Sequence, residues 1–169
     1  MATLSADLTR RLSPRRPGSS AFAERRSDTG RDTSGTKERP LTILVVDDVS
    51  DTRRMYAGYF EFVGARVVTA RDGVEALQAV YHHRPDVVLL DLAMPRMTGH
   101  EVLESLRRDP RLRELRVIAI TGHVTPESRD TAIRAGADLY LTKPCLPHSV
   151  FNFIVQLLRR DADSGPRTS

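Results

Sequence analysis

The chain has 169 residues and a formal net charge of +4, and 28% of its residues are charged. This length suits one domain with some extra chain. No stretch approaches the roughly 20 consecutive apolar residues of a membrane helix, and the N terminus lacks the apolar core of a secretory signal. The only cysteine, Cys145, excludes an internal disulfide and fits a reducing compartment. We therefore expect a soluble, cytoplasmic protein.

The excess positive charge lies in the first 39 residues. Residues 1–39 carry nine basic and five acidic side chains, whereas residues 40–169 carry seventeen of each. Only Leu4, Leu8 and Leu12 follow a helical spacing there, and so little apolar surface cannot offset the entropy of ordering the segment. We predict a disordered tail over residues 1–39. It is either a solvated extension or a weak electrostatic contact for an acidic partner or nucleic acid.

From Pro40 onward, short apolar runs alternate with helical patterns. Runs of this length that are rich in β-branched residues predict strands buried on both faces of a parallel sheet. The five runs cover residues 41–46, 66–69, 86–90, 117–120 and 139–141.

The first three helices are predicted from their end signals. Ser50 can cap a first helix that ends at Gly64. Asp72 and Glu75 form a capping-box-like pair at the start of the second. The third spans residues 99–108, because the proline that follows shortly afterwards prevents its continuation.

The last two helices follow the same logic. Thr125 is predicted as an N-cap with Pro126 at the first helical position, and this fourth helix ends at Gly136. A fifth helix begins near Pro147, and residues 161–169 are predicted to be disordered. We interpret four arginines as solvated helix faces: Arg53, Arg54, Arg107 and Arg108. The five histidines lack the spacing of a metal site.

Five strands alternating with five helices predict an α/β fold, a doubly wound parallel sheet with helices on both faces. Ligands of such sheets gather at the carboxyl ends of the strands. Few polar residues lie at those ends: Asp47 and Asp48 after the first strand, Asp91 after the third, Thr121 after the fourth and Lys143 after the fifth.

These residue types indicate phosphoryl transfer onto a carboxylate. Three neighbouring carboxylates repel one another unless a cation intervenes, and oxygen ligands suit Mg²⁺. Lys143 is the only lysine beyond the tail, in a chain that otherwise uses arginine for positive charge, so it is a candidate for a role that arginine cannot fill. Asp91 is the candidate nucleophile.

Residues 41–159 resemble the receiver domain of two-component response regulators, of the single-domain chemotaxis type. The resemblance covers about 70 per cent of the chain and rests on several short motifs in a fixed order. These are Val45-Val46-Asp47-Asp48, the segment from Ala70 to Leu77, the segment from Asp86 to Pro95 with Met97 and Gly99, Ile118-Ala119-Ile120-Thr121, and Gly136-Ala137-Asp138 with Lys143-Pro144.

The resemblance implies a role for each residue at the strand ends. Asp91 would be the phosphoacceptor. Asp48, Asp91 and the backbone carbonyl of Ala93 would ligate Mg²⁺, with Asp47 helping through a water molecule. Lys143 would pair with Asp91 and then with the phosphoryl oxygens.

The resemblance also implies a switch and a sheet order of 2-1-3-4-5, as in flavodoxin-like folds. Thr121 would move toward the phosphoryl group, and Tyr140 would turn inward behind it. The Lys143–Pro144 bond would be cis. The small Ala93 and the larger His123 would influence the lifetime of the phosphate. The fourth helix, anchored only by Ala132, Ile133 and Ala135, would present the output face.

As a receiver domain over residues 40–160, the chain would accept phosphate from a histidine kinase or a histidine phosphotransfer protein. It would then change its affinity for a downstream protein, and dimerisation on phosphorylation is an open alternative. It would not be an enzyme beyond its own phosphorylation from small donors and its own dephosphorylation.

Three other functional classes fit these residues less well than a receiver domain. A phosphate-independent scaffold is disfavoured by the complete set of Asp91, Thr121 and Lys143. A phosphatase with an aspartyl-phosphate intermediate is disfavoured because the acidic pair after the first strand is adjacent rather than two residues apart. A transcription factor is disfavoured because only eleven residues follow Leu158, too few for a DNA-binding domain.

Overall fold

The computed structural model describes residues 39–122, 125 and 127–164. Residues 1–38 of the predicted tail of residues 1–39, His123, Val124, Pro126 and the last five residues lie outside the described residues. None of the helices in the described part of the chain has the length and hydrophobicity needed to cross a bilayer.

Five strands and five helices alternate along the chain, as the sequence predicted. The elements are β1 (Thr42–Val46), α1 (Ser50–Phe62), β2 (Arg66–Ala70), α2 (Gly73–His83), β3 (Val87–Asp91), α3 (Gly99–Arg108), β4 (Arg116–Thr121), α4 (Ser128–Arg134), β5 (Leu139–Thr142) and α5 (Pro147–Ser164), with a 3₁₀ turn at Pro110–Leu112. The strands form one parallel sheet in the order β2-β1-β3-β4-β5, which confirms the predicted doubly wound fold.

Alternate residues of the central strands face two separate hydrophobic cores. Leu44 and Leu90 contribute to the core that α2, α3 and α4 cover, whereas Ile43 and Leu89 contribute to the core under α1 and α5. Every residue of β1, β3 and β4 is buried. The edge strands β2 and β5 are only partly buried, so burial on both faces holds for the three inner strands and is wrong for the two outer ones.

Three predicted helix ends differ from the structure. Ser50 is the first residue of α1 rather than its cap, and the preceding Val49 makes no side-chain cap. Helix α4 begins at Ser128, and the Oγ of Ser128 accepts the Thr125 N–H at 2.8 Å, so Thr125 is not its N-cap. Helix α5 runs to Ser164, so residues 161–164 are helical rather than disordered.

Arg107, predicted as a solvated residue, is instead the centre of a hydrogen-bond network. Its side chain is only 21% exposed. Its guanidinium group donates to the carbonyl of Gly136 at 2.7 and 3.0 Å and to the carbonyl of Leu115 at 3.0 Å. It also donates to the carboxylate of Asp138, which pairs on its other oxygen with Arg116 at 2.8 Å. Arg107 therefore ties the end of α3 to the start of β4 and to the loop before β5.

Gly99 lets α3 begin in direct contact with the end of β3. A Cβ atom at position 99 would lie 2.3 Å from the carbonyl oxygen of Asp91 and 2.7 Å from the Cα of Leu92. Since both of those atoms belong to the backbone, neither can move aside cheaply. The absence of a side chain at position 99 therefore sets the distance between α3 and the strand end that carries Asp91.

Arg107→Met is expected to lower the free energy of unfolding by about 2–4 kcal/mol, because buried carbonyl groups and a carboxylate lose their donors. Arg108→Met is the matched control, since the neighbouring Arg108 is exposed and pairs only with Glu104 one turn away; its cost should stay below about 0.5 kcal/mol. Denaturant unfolding monitored by circular dichroism gives both values. An equal loss of unfolding free energy in the two variants would contradict the structural role of the Arg107 network.

Gly99→Ala is expected to lower the free energy of unfolding by about 1–3 kcal/mol, because the added methyl group overlaps backbone atoms. Gly58→Ala should raise it by about 0.5–1 kcal/mol, since position 58 lies inside α1 with no atom within 4 Å of the added Cβ. Thermal and denaturant melts compare the two variants. A neutral or stabilising effect at position 99 would refute the close contact.

Candidate functional site

The carboxyl edge of the sheet brings together the polar residues that the sequence placed at the strand ends. Asp91 is the last residue of β3, Thr121 is the last residue of β4, and Asp47 and Asp48 directly follow β1. Lys143 follows β5, and its backbone N–H donates to the carbonyl of Thr121 at 2.8 Å. The parallel register of the strands is what makes these distant sequence positions neighbours.

Lys143 joins two of the three carboxylates. Its Nζ donates to Oδ2 of Asp91 at 2.6 Å and to Oδ2 of Asp47 at 2.7 Å. The carboxylate side chains are only 5% and 3% exposed, respectively, whereas that of Lys143 is 24% exposed. A compact cation therefore lies at the mouth of a buried acidic pair.

The other oxygen of each buried carboxylate accepts a backbone hydrogen bond. Val49 N–H donates to Oδ1 of Asp47 at 2.8 Å, and Ala93 N–H donates to Oδ1 of Asp91 at 2.9 Å. Arg53, interpreted from sequence as solvated, donates from Nη1 to the backbone carbonyl of Asp47 at 2.6 Å. Both carboxylates are thus held in a fixed orientation.

Burial and pairing shift the pKa values in this cluster. Burial raises the pKa of the Asp47 carboxyl, and the hydrogen bonds from Lys143 and from the Val49 N–H only partly offset it. Burial also opposes the charged form of Lys143, but its hydrogen bonds to Asp47 and Asp91 outweigh this effect and raise its pKa. Lys143 is therefore charged at neutral pH.

The acidic cluster fits a magnesium ion. One oxygen from each of Asp47, Asp48 and Asp91 lies within 4.8 Å of the others, and carboxylate oxygens are the ligands that Mg²⁺ prefers. Three carboxylates and one lysine leave a formal charge of −2, which a divalent cation would balance. Asp48 is exposed, so an ion bound there could keep several of its water molecules.

The loop between β3 and α3 is tied to the start of α2. Arg96 adopts a left-handed conformation with φ of +69°, and its Nη2 donates to Oδ2 of Asp72 at 2.8 Å. Gly73 leaves room for Met97, because a Cβ at position 73 would lie 2.7 Å from Cγ of Met97. These contacts position Ala93, which is exposed beside the acidic cluster.

Thr121 and Tyr140 share one face of the sheet. Thr121 is buried, and it is not without an interaction partner. Tyr140 pairs in register with Ala119 and packs against the core under α4. The buried hydroxyl of Tyr140 makes no hydrogen bond within the described part of the chain. Such a hydroxyl costs about 1–3 kcal/mol relative to one that is paired, so this tyrosine is not locked in place.

Helix α4 is weakly anchored beside this pair. Of its seven residues only Ala132 is buried. Ile133, expected to be a second anchor, is 42% exposed, because the helix has turned it toward solvent. The sequence predicted a weakly anchored helix, and in the structure α4 is anchored by even fewer buried residues than expected.

Comparisons with known proteins agree with this geometry. The family model of the response regulator receiver domain matches residues 43–154. The response regulator MprA of Mycobacterium sp. (strain KMS) is 39% identical over 128 residues, which are 75% of this chain and 55% of that protein. An uncharacterized 14.6 kDa protein of Leptolyngbya boryana is 37% identical over 116 residues, 69% of this chain and 88% of that protein. The chain thus spans about half the length of the mycobacterial relative.

Solved structures show the same fold. The chemotaxis protein CheY4 of Vibrio cholerae superposes with a TM-score of 0.67 at 29% identity, over 70% of this chain and 99% of that one. A CheY-like receiver domain protein of Methanospirillum hungatei superposes with a TM-score of 0.69 at 28% identity, over 75% of this chain and 100% of that one. By the family match, the sheet order and the acidic edge of the sheet, this chain belongs to the response regulator receiver domain family.

Proposed function

We propose that this chain is a phosphoacceptor switch, in which Asp91 takes a phosphoryl group from a histidine kinase or a histidine phosphotransfer protein. The single observation behind this proposal is the contact of Lys143 with Asp91 at 2.6 Å, at the buried end of β3. Receiver domains are signalling modules rather than classical enzymes, and they act together with such kinases or phosphotransfer proteins. The donor lies inside the cell in this scheme, which is why we propose a cytoplasmic location.

The transfer uses the chain's own groups for orientation and charge. A carboxylate oxygen of Asp91 forms a bond to phosphorus as the phosphorus–nitrogen bond of the donor's phosphohistidine breaks, and the electron pair goes to the imidazole nitrogen. Lys143 orients Asp91 beforehand, and its ammonium group then hydrogen-bonds the phosphoryl oxygens. The Thr121 hydroxyl supplies a further donor. No general base is needed, because a carboxylate nucleophile has no proton to lose when its oxygen bonds to phosphorus.

We assign the magnesium site to Asp48, Asp91 and the backbone carbonyl of Ala93, with Asp47 acting through a water molecule. Receiver domains bind Mg²⁺ at an acidic pocket of this kind. A bound Mg²⁺ ion neutralises negative charge on the phosphoryl oxygens.

The switch proposed here couples the phosphoryl group to α4. Thr121 would move toward the phosphoryl group, and the Tyr140 ring would then turn further inward toward the space that Thr121 leaves. Two observations support this coupling: the buried Tyr140 hydroxyl makes no hydrogen bond within the described residues, and α4 buries a single residue. A helix with so few buried contacts can change position at low cost.

The output would be an altered affinity for another protein. We propose that the chain acts as a stand-alone response regulator, and the Leptolyngbya boryana relative of similar domain length is consistent with this. The exposed side of α4, with Ile133 at its surface, is the face that we expect a downstream protein or a second phosphorylated copy to contact.

Incubation with acetyl phosphate and Mg²⁺ is expected to add one phosphoryl group to the wild-type chain. Asp91→Asn should abolish the gain, because an amide cannot act as the nucleophile. Asp51→Asn is the matched control, since Asp51 is an exposed carboxylate near the start of α1 that pairs with Arg54; it should leave the gain unchanged. Intact-mass spectrometry reads all three. A wild-type chain that never gains mass would point to a phosphate-independent scaffold.

Asp48→Asn is expected to weaken Mg²⁺ binding by about tenfold or more, because the exposed edge of the cluster loses a charged ligand. Asp51→Asn should change the Mg²⁺ affinity by less than about twofold, since its charge is screened by solvent. Calorimetric titration of Mg²⁺ into each protein gives the dissociation constants. Equal effects of the two substitutions would contradict the assignment of Asp48 as a ligand.

A further inference from the structure

A second concave site lies at the amino-terminal edge of the sheet, opposite the acidic cluster. It is a cavity of about 560 Å³ between the end of α2 and the segment that joins α3 to β4. Five apolar or aromatic residues line it (Val80, Tyr81, Pro85, Leu112 and Leu115). The other four lining residues are charged (Arg84, Asp86, Arg111 and Glu114). The apolar part of an open cavity exposes surface that water solvates poorly, so a matching apolar group gains by entering it.

The aromatic wall of this cavity is held in place. The Tyr81 hydroxyl donates to Oδ2 of Asp109 at 2.8 Å. The guanidinium carbon of Arg111 lies 5.6 Å from the centre of the Tyr81 ring, and Arg111 also pairs with Asp109 at 2.7 Å. Although Tyr81 is 49% exposed, its position is fixed by these contacts, so a ligand need not order it on binding.

The N-terminal segment enters the domain at the rim of this cavity. Arg39, the first described residue, pairs through both terminal nitrogens with the carboxylate of Asp86, with Nη1 to Oδ2 at 3.1 Å. Asp86 lines the cavity, and its Oδ2 also accepts the Thr42 N–H at 2.8 Å. The point at which residues 1–38 join the described part of the chain therefore lies beside this cavity rather than near Asp91.

The tethered segment contains a matching apolar group. Leu4, Leu8 and Leu12 repeat at helical spacing, so a helix of about two and a half turns would place them on a single stripe. As an unstructured linker, a chain of 26 residues, the number from 13 to 38, would span roughly 28 Å on average, which is enough to reach back to the cavity. Tethering also raises the effective concentration of the stripe to the order of millimolar, which favours it over an untethered partner of similar affinity.

Charge on the rim is compatible with the same segment. Residues 1–38 carry eight basic and five acidic side chains. Two acidic residues (Asp86 and Glu114) and two basic residues (Arg84 and Arg111) line the cavity, so its formal charges balance. Arg11 lies between Leu8 and Leu12 in the sequence. An arginine beside the leucine stripe can thus approach a carboxylate at the rim.

We propose that residues 4–12 dock in this cavity of the same chain, with the three leucines against its apolar lining. The contact would cover the cavity at the amino-terminal edge of the sheet, which is the edge opposite Asp91. It is independent of phosphoryl transfer, so the acidic cluster should function with or without it.

Leu8→Asp in the full-length chain is expected to shift the amide resonances of residues 80–86 and 111–115, because the stripe leaves the cavity. Thr9→Asp is the matched control, since it adds the same charge one residue away and off the stripe. It should leave those resonances unchanged, and both variants should leave the resonances of Asp91 and Lys143 unchanged. Two-dimensional NMR of the labelled protein measures these shifts. No change at the cavity in Leu8→Asp, or the same change in both variants, would overturn the proposal.

A nitroxide label tests the location directly. In a Cys145→Ser background, a label on the cysteine introduced by Ser5→Cys should broaden the amide signals that line the cavity and spare those around Asp91. Broadening elsewhere, or none, would overturn the docking. Isotope-labelled unmodified protein mixed with unlabelled spin-labelled protein separates contacts within a chain from contacts between chains. Broadening in that mixture would show docking onto a second copy and would refute the contact within one chain.

Discussion

The structure of the acidic edge depends on the Lys143 ammonium group that lies between two buried carboxylates. Asp47 and Asp91 are almost fully removed from solvent, and two unpaired charges so close together in the interior would be strongly destabilising. A lysine at 2.6 and 2.7 Å from the pair makes their burial tolerable. Because the carboxylates follow β3 and β1 while the lysine follows β5, the whole strand order must form before this balance exists.

The elements around the acidic cluster hold Asp91 in place, whereas the nearby helix α4 makes few buried contacts. The contact at Gly99 seats α3 against the end of β3, and Arg96 ties the intervening loop to α2. On the far side, Arg107 fixes the loop after α4 at Gly136, whereas α4 itself buries only Ala132. Rigid support on one side and a lightly packed helix on the other are what a two-state switch requires.

Much of this could be predicted from the sequence, because the responsible signals are local. Short β-branched runs predict inner strands, and polar residues after four of the five runs, among them Asp91 and Lys143, mark the carboxyl edge. The contacts of Arg53 and Arg107 could not be predicted, since a long side chain beside a helix reaches different partners depending on tertiary packing. The start of α4 was also misjudged, because the Ser128 hydroxyl competes with Thr125 for the role of local acceptor.

We propose that Asp91 is the residue that becomes phosphorylated among three carboxylates that lie within 4.8 Å of one another. Borohydride reduces an acyl phosphate to an alcohol and so converts a phosphorylated aspartate into homoserine. The measurement is peptide mass spectrometry of the full-length protein after phosphorylation and borohydride treatment. Homoserine is expected at position 91 alone. Homoserine at position 47 or 48, or a phosphorylated protein with no homoserine at any of the three, would contradict it.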